Sequence, residues 1–116
     1  MRYLLLLYGD PQAEDALGEE GRRRIVDEHG RFTQRLRERG AYVHGDPLAG
    51  GSAAKIVRRD GERPIVTDGP FAETKEQLGG FYVIEADGTE EALEWAKQVP
   101  LSPGLVVDLR PIPAMD

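Results

Sequence analysis

Two histidines, His29 and His44, and no cysteine stand in the chain. Thiol catalysis, disulfides and thiolate metal sites are therefore excluded, and general acid–base chemistry near neutral pH falls to an imidazole. His29 lies on the stripe Ile25, His29, Phe32 and Leu36, whose spacings of four, three and four describe one face of a helix that should meet a sheet. An imidazole there can take or give a proton if a carboxylate orients it. Asp10, just beyond the first strand, is the best orienting partner. His29 and Asp10 are thus the candidate catalytic pair. A core histidine satisfied by backbone or water explains the same position equally well.

A second group of candidates surrounds Asp68-Gly69-Pro70-Phe71. This is turn chemistry: the Asp side chain can bind backbone amides, Gly admits a positive φ and Pro fixes its own. Asp68, Phe71, Glu73 and Lys75, with Arg58, are candidate substrate-binding residues at a polar cleft mouth, although surface ion pairs account for these charges too. His44 shares a strand face with Tyr42 and Asp46, but two histidines and scattered acids make a thin ligand set, so no metal is expected. Gly50 and Gly51 lack the spacing and the following Lys-Ser or Lys-Thr of a phosphate loop, and no cofactor is expected. Tyr3, Tyr8, Phe81, Tyr82 and Trp95 read as core and interface aromatics rather than a cofactor cage.

The elements that must position these residues follow from periodicity. Arg2 to Tyr8 is apolar or aromatic at nearly every position, as in a central strand buried on both faces. Gly9 through Gly18 reads as a loop, and a helix runs from about Glu19 to a stop at Gly40. Ala41 to Leu48 alternates, with Tyr42, His44 and Asp46 on one side, and Pro47 ends it. Ala53 to Arg59 and Glu62 to Thr67 flank Asp60-Gly61, a strong hairpin signal. Ala72 to Leu78 is predicted as one or two helical turns before Gly79 and Gly80. Phe81 to Ala86 is a strand. A helix starts at Thr89 with Leu93, Ala96 and Val99 inside, and Leu105 to Pro111 is the last strand. This order predicts an α+β fold, a ferredoxin-like βαββαβ sandwich with an inserted β-hairpin, spanning residues 1–116 as one domain.

Two helices cover one face of a sheet, yet Tyr3 to Tyr8 and Phe81 to Ile84 are apolar on both. The expectation is a homodimer with the sheets face to face. With 21 acidic against 15 basic side chains and a formal charge of -6, the surface repels phosphate backbones and anionic membranes, so direct nucleic-acid and membrane partners are not expected. The opening apolar run is far too short to span a bilayer and carries no export signal, which points to the cytoplasm.

The stretch from Val66 to Glu85, VTDGPFAETKEQLGGFYVIE, resembles the signature of the DGPF branch of the YCII-related proteins. The opening Met1 to Asp10, the segment His29 to Leu48 and the ending Ala92 to Pro100 are similar to that family as well. The resemblance implies a dimeric α+β barrel with a helix–sheet cleft for a small ligand. It also implies a small-molecule enzyme with lyase-type proton transfer by a histidine–aspartate pair, carried here by His29, which precedes the helix-ending Gly40. Asp10 matches the aspartate with the loop after the first strand shifted by one residue. The alternative it implies is a non-catalytic, ligand-binding or regulatory dimer linked to transcription that depends on extracytoplasmic-function sigma factors.

Overall fold

The structure, a computed structural model, describes residues 1–115. Strands β1 (Arg2–Gly9), β2 (Tyr42–Pro47), β5 (Gln77–Glu85) and β6 (Val106–Ile112) form an antiparallel sheet in the order β2-β5-β1-β6. Helices α2 (Gly18–Glu38) and α3 (Thr89–Ala96) cover one face. This is the ferredoxin-like α+β arrangement, and β1 and β5, the two strands apolar on both sides, are its central pair.

Side chains alternate across a strand, so β1 divides its residues between two environments. Tyr3 and Leu5, with Tyr82 and Ile84 from β5, meet Phe32 and Leu36 of α2 and Ala92 of α3 in the buried core. Leu4, Leu6, Phe81 and Val83 point to the opposite face, which no element among the described residues covers, and remain half-exposed. The molecule is accordingly a slab 46 × 46 × 18 Å. Among the described residues no helix is long and apolar enough to cross a membrane.

Four local expectations are corrected. The predicted loop after β1 contains a short helix, α1 (Pro11–Ala16), because Asp10 caps it and Pro11 occupies its first turn. The helical turns predicted for Ala72 to Leu78 do not form. Instead β5 begins at Gln77 and runs through Gly79 and Gly80, since a Cβ at Gly80 would lie 3.2 Å from the Asp46 carbonyl oxygen and glycine permits the close pairing. In β2 a register shift between Tyr42 and His44 turns Tyr42 toward the helices while His44 and Asp46 stay on the open face. On α3 the buried residue is Ala92, whereas Leu93 is exposed.

The hairpin forms a separate two-stranded sheet of β3 (Lys55–Asp60) and β4 (Arg63–Asp68). Asp60 pairs with Arg63, so Gly61 and Glu62 make the turn, and Gly61 takes φ +63°. Within the two strands every residue except Ile56 is exposed. The hairpin is an arm standing off the sheet between β2 and β5. Its base is held by the Gly69 amide donating to the Ala54 carbonyl at 2.8 Å and by the Lys55–Asp68 ion pair.

Candidate functional site

Between α2 and the helix-facing side of the sheet lies a cavity of about 560 Å³ at the end where β1 finishes and β5 begins. Leu7, Ile25, Val26, Tyr42 and Leu105 make its walls apolar, and Glu14, Arg22, His29, Thr33, Tyr82 and Ser102 bring polar groups to it. The α2 stripe accounts for this division. Phe32 and Leu36 reach the core, while Ile25 and His29, two turns and one turn earlier, stop half-buried at the cavity.

His29 Nδ1 lies 2.7 Å from the Tyr82 hydroxyl, and the two rings stack with planes 12° apart. Phe32 meets the edge of Tyr82 at 5.2 Å between centroids and fixes that ring from the core side. Beneath it, a Cβ at Gly45 would come within 2.7 Å of Tyr82 Cδ1, so the glycine on the neighbouring strand makes room for the phenol. Burial lowers the His29 pKa from its ordinary value, with Glu28 opposing, so the ring is neutral at neutral pH. Burial likewise raises the Tyr82 phenol, against the hydrogen bond from Thr33, and Tyr82 keeps its proton.

A neutral imidazole and a phenol each donate or accept, so this pair is compatible with either tautomer of His29. With Tyr82 donating to Nδ1, Nε2 carries the proton. With Nδ1–H donating to Tyr82, Nε2 presents a lone pair. A carboxylate, which only accepts, would hold one tautomer.

Glu14 enters the cavity from α1. Its side chain folds back so far over the end of β1 that a Cβ at Gly9 would lie 2.5 Å from Oε1. Burial, then the neighbouring Asp10 and Asp15 carboxylates, raise its pKa.

The remaining sequence-predicted residues lie elsewhere. Asp10 is buried, but its Oδ1 accepts from the Gln12 and Ala13 amides at 3.1 and 3.4 Å, and the partner of His29 Nδ1 is Tyr82. Lys75 Nζ lies 3.9 Å from Asp10 Oδ2. Asp68 pairs with Lys55 on the arm, the Arg58 guanidinium sits 5.5 Å above the Phe71 ring, and Glu73 is exposed. None of Asp68, Arg58, Phe71, Glu73 and Lys75 lines the cavity of its own chain. His44 Nε2 meets Asp46 Oδ2 at 2.8 Å on the open sheet face, and no cluster of three or more His, Asp or Glu ligands occurs among the described residues.

Tyr82 and Glu14 are the site residues that the pattern of the sequence did not single out. For Tyr82 a signal existed in its strand parity, which places it on the same face as Ile84 and so opposite α2. For Glu14 it lay in the Asp10-Pro11 helix start, which sets Glu14 in the first turn of α1.

Over 99 residues, 85% of this chain and 80% of its relative, the sequence is 35% identical to an uncharacterized protein of Rhizobium meliloti (strain 1021). The family profile described as the YCII-related domain matches residues 1–113. The match takes in β1, the cavity helix and β6 alike, and the chain belongs to the YCII-related domain family.

Proposed function

We propose that this protein binds a small, mostly apolar carbonyl compound in the cavity under α2 and moves a proton on it through His29. The observation that carries this reading is the His29–Tyr82 pair: a neutral, half-buried imidazole at the cavity, held at one nitrogen by a group that accommodates either tautomer. In a lyase-type step, Nε2 takes a proton from the carbon beside the carbonyl and the C–H electron pair forms the new double bond. The leaving group departs with its own pair and takes up a proton. Tyr82 keeps Nδ1 paired as the ring charges. The acting unit is a homodimer joined through the open sheet face, where Leu4, Leu6, Phe81 and Val83 have no cover among the described residues.

The test uses a panel of small carbonyl acids and lactones, followed by NMR in D2O. Wild type should incorporate solvent deuterium beside the carbonyl of a bound compound, and His29→Gln should bind it without exchange. Exchange that survives in His29→Gln would sink the assignment.

A second reading, a non-catalytic dimer that senses a ligand and regulates transcription with a sigma factor, is favoured by one observation. The aspartate expected to orient His29 is occupied in capping α1. Tight binding of a panel compound with no exchange in wild type would select it.

A further inference from the structure

The β3–β4 arm has no account within a single chain. A lone two-stranded hairpin is marginally stable in water. This one nonetheless exposes Val57 at 64%, Val66 at 63%, Ile65 at 45% and, beyond its base, Phe71 at 74%. The arm also distends the molecule: the radius of gyration is 16.1 Å, against about 13 Å for a compact chain of this length. Val57 and Val66 are cross-strand partners on one face of the hairpin, so their exposure forms one continuous apolar spot.

Charge indicates what covers it. Residues 55–68 carry Lys55, Arg58, Arg59 and Arg63 against Asp60, Glu62 and Asp68, a net +1 in a chain of -6, which leaves -7 on the rest. Two such bodies repel one another, and two arms repel one another, whereas an arm on a body attracts. The arm is inserted between β2 and β5, and β5 carries Phe81 and Val83 on the uncovered sheet face, so the chain holds two unpartnered apolar surfaces.

We propose that the β3–β4 arm is a clasp that lays its apolar and cationic side chains on the acidic body of a second copy of this chain. The clasp rests on the homodimer inferred above and adds to it a specific contact outside the sheet-to-sheet interface. Each arm would gain the burial it lacks alone, and the cationic residues would offset the repulsion between the two bodies.

Sedimentation equilibrium on wild type and the double variant Val57→Ser/Val66→Ser tests this. Both valines are largely exposed in the single chain, so the substitutions leave its core intact. Wild type should associate at micromolar concentration, and the double variant should dimerise about tenfold more weakly or worse, the equivalent of losing one well-buried apolar contact. Equal association of the two proteins overturns the clasp and leaves the sheet-to-sheet dimer standing. A wild-type mass of 12.8 kDa at every concentration overturns both. Val66→Cys, a lone thiol in a cysteine-free chain, gives a second reading. Its alkylation should be slow in the dimer and fast on dilution to monomer. Full-rate alkylation in the dimer, or a spontaneous Val66→Cys disulfide between two arms, rules out an arm seated on a body.

Discussion

His29 Nδ1 and the Tyr82 hydroxyl, 53 residues apart in sequence, meet at 2.7 Å in a cavity whose remaining walls are mainly apolar. Burial in that cavity decides how His29 responds to pH. Burial holds its folded-state pKa below the ordinary 6.5, so between 6.5 and that lower value the unfolded chain binds more protons than the folded one. Stability must then rise with pH across that window, and be lost as pH falls through it. Urea titrations of wild type and His29→Gln from mildly acid to neutral pH should show the slope in wild type and a flatter one in the variant. Identical slopes would mean that the imidazole titrates as freely as in an unfolded chain.

Asp10 yields a prediction that separates capping from catalysis. Its carboxylate receives the first amides of α1, a role that Asn fills almost as well and Ala does not. Asp10→Ala should cost about 1 kcal/mol of stability and Asp10→Asn much less. In both variants the nitrogen-detected titration of His29 should stay where wild type has it. A shift of the His29 midpoint in Asp10→Asn would instead restore Asp10 as the group that orients the imidazole.

The large elements were legible because hydrophobic period governs them. Arg2 to Tyr8 reads as a two-sided strand and becomes the central β1, and the stripe through Phe32 and Leu36 becomes the buried side of α2. The errors share a different cause. Helix α1 has six residues, too few for a period to register, and only its Asp10-Pro11 cap announces it. The bulge beside Tyr42 changes which face the strand presents without changing any residue type. The partner of His29 differs from the expected Asp10 because that carboxylate, leaving β1, is taken up by the first amides of α1. The phenol that meets it arrives from β5, selected by sheet pairing opposite Gly45.

Gly30 stands in the middle of α2, beside His29, and lines the cavity. Apart from its chain neighbours and the backbone of its own helix, no heavy atom of the described residues lies within 4 Å of where its Cβ would be, so neither close packing nor a positive φ demands a glycine. A mid-helix glycine costs about 0.5–1 kcal/mol relative to alanine. Gly30→Ala should therefore stabilise the protein by about that amount. The added methyl takes space at the cavity, so the same variant should bind cavity ligands more weakly. Chemical denaturation and ligand titration on one preparation check both halves. A variant no more stable than wild type would show that α2 needs the glycine for a reason other than open space.

Glu14 offers a prediction of opposite sign to that of His29. Burial and the adjacent Asp10 and Asp15 raise its pKa above 4.5, so the folded state holds this proton more tightly than the unfolded one. Its contribution to stability is present below 4.5 and is lost as pH rises through the folded pKa, which leaves a desolvated, repelled carboxylate at neutral pH. Glu14→Gln removes that charge while keeping the side chain's length. The variant should melt higher than wild type at pH 7, and the two melting curves should converge near pH 4, where the native carboxyl is protonated in both states. A Glu14→Gln protein that melts lower at pH 7 would show that the carboxylate makes a favourable contact there that outweighs its burial, and Glu14 would then be a ligand-anchoring group rather than a strained one.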